Sequence, residues 1–232
     1  NADMSGVPNL LDRKIAWGTK NIAEGPAMTR LEAIRSIETG IEIADEKARE
    51  GYRVFTIGEM GISNTTSSAC ILGAFNHWNA IEVTGRGTNI SDERLRHKID
   101  VVQRAMDVNH PDPNDGLDVL SKVGGFEYGC MTGVILGAAA NHALTIIDGF
   151  NTTASAFIAK ALCPEVVHYL MASHLSLEQA HKKSLAALGL TEYIDLDFRL
   201  GEAIGAGIQT RMLDYALSVY RECAAKDEEV KA

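Results

Sequence analysis

The sequence predicts an α/β fold with a doubly wound, mainly parallel sheet flanked by helices. Two observations lead to this prediction. Short β-rich runs alternate with apolar residues at helical spacing along the 232 residues, which is the pattern of strand–helix–strand units. Polar and glycine-rich clusters follow the runs that end at Ile57, Ile147 and Met171. Because ligands bind beyond the carboxyl ends of parallel strands, we expect a site where these clusters meet.

The first quarter of the chain predicts one long helix and one strand. Residues 1–28 are predicted to be irregular, because Gly and Pro recur there. The Thr-x-x-Glu pattern over 29–32 is a capping box, which satisfies free N–H groups at a helix start. Apolar residues at spacings of three and four over 31–48 form one helix face, and Gly51 ends it. The β-rich run 53–57 is the first predicted strand.

The middle of the chain alternates helices with glycine-containing breaks. Small residues over 64–76 predict a helix, and a glycine loop over 83–89 follows. An amphipathic helix is predicted from Ser91 to Asn109. The Pro- and Asn-containing break 110–114 separates it from a short helix that ends at Gly124-Gly125.

The last part continues the alternation. Apolar and small residues over 130–141 suit a buried helix, and 144–147 is a predicted strand. A helix should end before Pro164, and 166–171 should form another strand. We read Ser176 and Gln179 as a second capping box that opens a helix over 177–188. A final helix should run to about Cys223, with a frayed, charged tail over 226–232.

Composition and charge exclude several classes of function. The chain is 46% hydrophobic, which is too apolar for intrinsic disorder. Lys and Arg number 22 against 31 Asp and Glu, a formal net charge of −9. This balance argues against binding to nucleic acid or to an anionic membrane, because both select clustered Lys and Arg. We expect phosphate, if bound, to be held by backbone N–H groups and one or two cations.

Cysteine, histidine and terminal patterns narrow the class further. The histidines show no H-E-x-x-H and no tight ligand spacing, so no metal site is predicted. The chain opens without Met or a signal segment, and we interpret it as a fragment or the mature part of something longer. The cysteines show no C-x-x-C, which predicts reduced thiols in a cytoplasmic protein; they are Cys70, Cys130, Cys163 and Cys223.

The turn over 58–66 is the first candidate site. Its two glycines allow close approach of backbone to a ligand, and the helix start that follows would offer N–H groups to an anion. Glu59 lies at the strand end, where a carboxylate can act as a base or hold a ribose hydroxyl. The alternative is a turn with an Asx, Ser or Thr cap and no ligand.

Three weaker candidates follow. Gly85-x-Gly87 is not a complete G-x-G-x-x-G, which favours a plain loop, and Lys98 alone suits a solvated surface charge. Asp148 at a strand end suits a contact with a hydroxyl or backbone group, or a helix cap. The run 173–176 has no G-x-S-x-G elbow, so Ser176 is predicted to be a cap that also touches phosphate.

The run 199–206 places Glu202 among small residues at the start of a helix. Small neighbours leave room for a ligand, and an apolar setting would raise the pKa of this carboxyl and suit it to general-base work. The alternative is a helix-start glutamate that the helix dipole favours.

Several motifs stand in order between about Gly6 and Tyr220. They are Leu-Asp-Arg-Lys-Ile (11–15), Gly-Pro-Ala-Met-Thr (25–29), Gly-Glu-Met-Gly-Ile-Ser-Asn-Thr-Thr (58–66), Asp-Gly-Phe (148–150), Ser-His-Leu-Ser (173–176) and Arg-Leu-Gly-Glu (199–202). Together they resemble the nicotinate-nucleotide–dimethylbenzimidazole phosphoribosyltransferase family of cobamide (vitamin B12) lower-ligand assembly. Six motifs in order are far more specific than any one of them.

The resemblance implies a reaction and a set of roles. A base such as 5,6-dimethylbenzimidazole attacks C1′ of nicotinate mononucleotide, nicotinate leaves, and α-ribazole phosphate forms with inversion. No metal or organic cofactor is implied. Glu202 matches the general base of the family, and Glu59 matches a second carboxylate. The substrate-binding positions that the resemblance implies are Gly61, Asn64, Thr65, Gly87, Asn89, Lys98, Asp148, Gly149, Ser176 and Gly201.

The resemblance also implies an organisation. Family members are longer at the N-terminus, and the absent part supplies much of the base pocket and part of a small helical subdomain. We therefore expect 1–50 to belong to that subdomain, 51–202 to form the nucleotide-binding core and 203–232 the C-terminal helix. A homodimer is expected, and one half of a heterodimer acting on phenolic bases stays open.

Two other functions stay open. A fragment could bind nicotinate mononucleotide without turnover. A nicotinamide-dependent oxidoreductase is disfavoured, because no G-x-G-x-x-G follows the first strand.

Overall fold

The computed structural model describes Met4, residues 6–198 and residues 200–229. Parallel strands with helices around them confirm the α/β class. The strands are β1 (Val54–Ile57), β2 (Leu144–Ile147), β3 (Leu170–Ala172), β4 (His174–Ser176) and β5 (Ile194–Phe198). The helices are α1 (Arg30–Arg49), α2 (Asn64–Asn76), α3 (Ala80–Val83), α4 (Asp92–Asn109), α5 (Gly116–Val123), α6 (Phe126–Ala140), α7 (Phe150–Leu162), α8 (His181–Leu188) and α9 (Ile204–Glu229).

The strands form two parallel sheets, with the orders β1-β2-β3 and β4-β5. Ile57, Ile147 and Ala172 are paired across the first sheet, so its three strands end at one level. Ser173 joins the sheets: its N–H donates to Ile147 O at 3.2 Å, and its carbonyl accepts from Tyr193 N at 2.9 Å. The polar clusters after β1, β2 and β3 therefore share one edge, as the sequence predicted.

Helix α1 begins as the capping box predicts. Glu32 N donates to Thr29 Oγ1 at 3.2 Å, and Thr29 N donates to Glu32 Oε2 at 2.8 Å. The helix packs directly on the backbone of α6. A Cβ on Gly40 would lie 2.7 Å from Val134 N, and one on Gly133 would lie 2.9 Å from Gly40 Cα. Glycine at these two positions lets the helices approach this closely.

Helix α7 is the central buried helix. Its residues from Phe150 to Ala159 are all buried, and it packs against α2, α5, α6 and α8. Burial on all sides explains its apolar and small side chains. Phe157 stacks on Phe75 of α2, with ring centroids 6.0 Å apart. The core therefore lies between α7 and the helices around it. This packing fixes the start of α7, which follows the end of β2.

Two predicted elements are wrong in detail. Most of the strand predicted over 166–171 is a 3₁₀ helix (Pro164–Tyr169), with Pro at its start, and β3 begins only at Leu170. The capping box predicted at Ser176 does not form. Gln179 Nε2 donates to Ile81 O at 2.6 Å instead of reaching back, and α8 begins at His181.

The sequence analysis also missed β4, β5 and α3, and it misplaced the end of α9. Helix α3 is a single turn with its own capping box between Asn79 and Glu82. Helix α9 continues to Glu229, beyond the predicted end near Cys223. Arg199, in one of the quoted motifs, and the last residues of the predicted tail, 230–232, lie outside the described residues. Of the helices that the structure describes, none combines the length and apolar character that crossing a membrane requires.

Candidate active site

The Glu59 carboxylate is held by two amide side chains. Glu59 follows β1, and its Oε1 accepts from Asn151 Nδ2 at 2.9 Å. Its Oε2 accepts from Asn64 Nδ2, at the first turn of α2. Asn151 Nδ2 also donates to Asn64 Oδ1 at 3.1 Å. A carboxylate bound on both oxygens keeps one orientation, so Glu59 is a fixed acceptor at the end of the sheet.

The two asparagines are themselves anchored in the core. Asn151 Oδ1 accepts from Ser68 Oγ at 2.6 Å, and the buried Tyr128 hydroxyl donates to Asn64 O at 2.7 Å. Sequence reasoning predicted Asn64 as a site residue but missed Asn151. Asn151 could have been recognised in the sequence by its position, because it stands in the first turn of a helix that follows Asp-Gly at a strand end.

The segment that carries Glu202 lies directly against the turn that carries Glu59. A Cβ on Gly58 would lie 2.6 Å from Ala203 Cα, and one on Gly201 would lie 2.9 Å from Glu59 Oε1. Glu202 and Ala203 both adopt the left-handed region, with φ of 66° and 62°. Non-glycine residues in this region carry strain that recurs at functional sites.

The two carboxylates line one open cleft. It measures about 460 Å³ and is lined by Thr56, Gly58, Glu59, Met60, Glu202 and Ala203. The Glu202 side chain is exposed. An apolar enclosure around this carboxyl, which the sequence suggested, is therefore wrong for the described residues: Met60 and Ile204, on the neighbouring segments, are exposed as well.

Asp148 caps the start of α9. Its buried Oδ1 accepts from Ala206 N at 2.9 Å. Burial raises the pKa of this carboxyl from 3.8 to about 6, while bonds from backbone N–H groups oppose the rise. His174 Nδ1 lies 3.8 Å from the same oxygen. Of the sequence alternatives for Asp148, the structure shows the helix cap, made to the backbone of α9.

Lys98 is half-buried against the glycine loop. Its Nζ donates to Thr65 Oγ1 at 2.8 Å and to Gly85 O at 3.1 Å. The predicted solvated surface charge is therefore wrong, because the helix face of Lys98 turns toward α2. Gly87 adopts a φ of +52°, and its N–H donates to Glu178 Oε1 at 2.6 Å. Glycine fits this left-handed position.

A buried histidine connects Ser176 to the turn before α7. Ser176 N donates to His181 Nδ1 at 2.9 Å, so the ring proton sits on Nε2 and is donated to Thr153 Oγ1 at 3.1 Å. The Thr153 hydroxyl then donates to Gly149 O at 2.9 Å. Burial lowers the pKa of His181 to about 3, which keeps the ring neutral.

These contacts bring most predicted site residues together. Gly61 lies beside Asn64, and Gly149 lies against His174 and Ser176. Asn89 stands apart: it is exposed, and its N–H donates to Arg86 O at 3.1 Å. Sequence reasoning missed Glu178 and His181, whose signal is a Glu-x-x-His run between the end of a strand and the start of a helix.

The arrangement suits two chemical tasks. Glu59 and Glu202 can accept protons or hydroxyl hydrogen bonds at the cleft. Lys98 and the glycine backbone can hold an anion beside α2. Within the described ranges, no group of three or more His, Cys, Asp or Glu side chains is placed to hold a metal ion.

Comparison with known proteins assigns the chain to a family. A phosphoribosyltransferase family model matches residues 1–230. The chain is 49% identical over 227 residues to the nicotinate-nucleotide–dimethylbenzimidazole phosphoribosyltransferase of Syntrophotalea carbinolica, covering 98% of the chain and 64% of that relative. It is 46% identical to the protein of the same name from Clostridioides difficile, covering 96% of the chain and 64% of the relative.

A solved structure agrees with the sequence matches. The crystal structure of CobT from Thermus thermophilus superposes with a TM-score of 0.88 at 39% identity. The match covers 93% of the present chain and 64% of the CobT chain. The chain thus spans somewhat less than two thirds of the length of these relatives. The fold, the ordered motifs and the matches lead to one assignment: the chain belongs to the nicotinate-nucleotide–dimethylbenzimidazole phosphoribosyltransferase family.

Proposed function

We propose that the chain carries the reaction site of a phosphoribosyltransferase. It would move the ribose phosphate of nicotinate mononucleotide to 5,6-dimethylbenzimidazole or a related base, giving α-ribazole phosphate and nicotinate in cobamide biosynthesis. The observation that carries the proposal is the pairing of Glu59 and Glu202 at one cleft. The names of its relatives supply the substrates.

The proposed chemistry needs one proton acceptor. A ring nitrogen of the base forms a bond to C1′, and the C1′–N bond of nicotinate mononucleotide breaks with its electron pair going to the pyridine nitrogen. That nitrogen loses its positive charge, so it is a good leaving group. The proton of the incoming base goes to the Glu202 carboxylate. No step requires a metal or an organic cofactor.

The other residues would hold the substrate in place. Glu59, bound by two amides, is placed to accept a hydrogen bond from a ribose hydroxyl or to face positive charge near C1′. Lys98 and the glycine backbone near Gly61 and Gly149 would hold the phosphate, while the Gly87 N–H is already bound to Glu178. Because the leaving group is already activated, orientation by these groups supplies much of the rate enhancement.

A product assay tests the proposal. The 232-residue chain is incubated with nicotinate mononucleotide and 5,6-dimethylbenzimidazole, and nicotinate and α-ribazole phosphate are measured. We expect Glu202→Gln to lower turnover about 10²–10⁴-fold, the usual range for losing a general base. Glu165→Gln, at an exposed carboxylate, should leave turnover unchanged. Equal turnover by Glu202→Gln would contradict the assigned role.

A binding-only function is the second candidate. The exposure of Glu202 and the 64% coverage of the relatives favour it. Calorimetry with nicotinate mononucleotide separates the two: binding without product supports the second candidate, and no binding contradicts both. A homodimer in the cytoplasm is also proposed from the family resemblance, with a heterodimer acting on phenolic bases as its alternative. Light scattering of the purified chain, alone and with a paralogue, tests the assembly.

A further inference from the structure

Glu178 connects two segments that are far apart in the sequence. It lies between β4 and α8, and its N–H donates to Ser176 Oγ at 3.3 Å. Its Oε1 accepts from Gly87 N, 91 positions away, at 2.6 Å. A Cβ on Gly85 would lie 2.7 Å from its Cδ, so the carboxylate packs flat on the glycine loop. Oε2 is buried there, with no hydrogen-bond donor among the described residues.

The same loop also contacts the ammonium of Lys98. Gly85 O and Thr65 Oγ1 accept two of the three N–H groups of Lys98. One N–H therefore stays available to a ligand within the described part of the chain. Moving Gly85 would change where that N–H points.

We propose that Glu178 is a positioning residue, whose carboxylate holds the 85–87 loop, and through Gly85 O the ammonium of Lys98, where a substrate phosphate binds. This inference rests on the proposed function, because it gives Lys98 a phosphate to bind. A carboxylate beside an anion site would otherwise repel the ligand. The hydrogen bond from Gly87 N and the packing on Gly85 direct the Glu178 carboxylate toward the loop.

The charge of Glu178 gives it a second effect on Lys98. Burial lowers the pKa of the Lys98 ammonium, and the nearby Glu178 carboxylate opposes that shift. Cys70 also faces this ammonium, but burial raises the pKa of its thiol to about 12, so the thiol stays neutral. Glu178 is thus the charged group that favours the protonated lysine.

Two substitutions separate geometry from charge. Glu178→Gln keeps a side-chain oxygen for Gly87 N but removes the charge, and Glu178→Ala removes both. The probe is inorganic phosphate, titrated at about pH 7 and about pH 9, both below the ordinary lysine pKa of about 10.4, and followed by the amide NMR shifts of Gly85 and Gly87. Glu165→Gln is the matched control, since it removes an exposed carboxylate elsewhere.

We expect Glu178→Ala to weaken phosphate binding about tenfold at both pH values, which corresponds to one pKa unit of interaction. Glu178→Gln should bind phosphate nearly as well as the parent chain at the lower pH and less well at the higher pH, because loss of the carboxylate lowers the pKa of Lys98 further. In a Lys98→Ala background, Glu178→Ala should cause no further loss, because the two residues act together.

The opposite results would overturn the inference. Equal losses from Glu178→Ala with and without Lys98 would show that Glu178 does not act through Lys98. Absence of phosphate binding by the parent chain would remove the anion site itself. Turnover is a separate readout: phosphate binding that depends on Lys98 and Glu178, without nicotinate release, would contradict the proposed function and leave this inference standing.

Discussion

The backbone N–H of Glu202 donates a hydrogen bond to the backbone carbonyl of Glu59 at 3.2 Å. Two carboxylates that are remote in sequence are thus joined through their main chains, so the position of one depends on the turn that carries the other. Substitutions that alter this contact should change chemistry without touching either carboxylate.

Gly58 is the sharpest test of that contact. Gly58→Ala would place a methyl group 2.6 Å from Ala203 Cα. We expect a loss of unfolding free energy of about 1–3 kcal/mol. We also expect the folded variant to release nicotinate more slowly than the parent chain. The matched control is Gly207→Ala, in α9 with open space around it, where alanine should stabilise the helix by up to about 1 kcal/mol. Unchanged turnover in Gly58→Ala would contradict the coupling.

The raised pKa of Asp148 predicts that the stability of the fold depends on pH. Its pKa is about 6 in the fold against 3.8 ordinarily, so the folded chain binds more protons between these values. Its contribution to stability therefore falls as the pH rises from about 4 to 6. Asp148→Asn keeps an acceptor for Ala206 N without the charge, so its stability relative to the parent should increase over that window, by at most about 3 kcal/mol.

Urea unfolding of both proteins at about pH 4.5 and about pH 7, within and above the window of the shift, measures this difference. His174 and Glu59 face the Asp148 carboxyl, and both stay in place in the variant, which isolates the Asp148 titration. A relative stability that falls with pH would show that the Asp148 carboxyl is stabilised as its anion.

Removal of the hydrogen bonds of His181 should lower the stability of the fold. His181→Phe leaves the buried Ser176 N without its acceptor and removes the N–H that donates to the Thr153 hydroxyl, and we expect a loss of about 2–4 kcal/mol of unfolding free energy. His168→Phe, at an exposed ring, is the control.

The His181 pKa also fixes the sign of an acid effect. Burial lowers this pKa from 6.5 to about 3, so the unfolded chain binds the extra proton between these values, and stability is lost as the pH falls through that range. The His181→Phe variant should lose less stability than the parent as the pH falls from 6.5 toward about 4. A steeper loss in the variant would argue against a neutral ring.

Tyr128 supports the Glu59 site from the core. Tyr128→Phe removes the donor to Asn64 O, which should cost about 1–2 kcal/mol of unfolding free energy and lower turnover through the Asn64 contact with Glu59. Tyr215→Phe, at an exposed ring, should change neither. Thermal unfolding and the nicotinate assay together decide whether the effect reaches the site.

Local patterns predicted the elements whose signals are local. Thr29 and Glu32 lie within one helical turn, so their pairing is visible in the sequence. Ser176 and Gln179 show the same spacing, but Gln179 bonds to Ile81 O, a partner that spacing cannot reveal. The ends of β1 and β2 were predicted correctly because short β-rich runs that lead into a glycine turn are well bounded, whereas β3 begins and ends later than predicted.

The site was predicted only in part for a related reason. Glu59 and Glu202 stand in motifs that resemble a family, so their candidacy could be seen in the sequence. The half-buried state of Lys98 depends on α2 and a glycine loop, and its interaction with Glu178 joins two residues that are far apart in the sequence. Contacts of that separation leave no periodic or spacing signal.

The level ends of β1, β2 and β3 set a length scale for the ligand. Neighbouring strands lie about 4.8 Å apart, so the turns after the first and third strands are about 10 Å apart. A molecule that reaches from Glu59 to the Ser173 side of this edge therefore has roughly the length of one sugar and one phosphate.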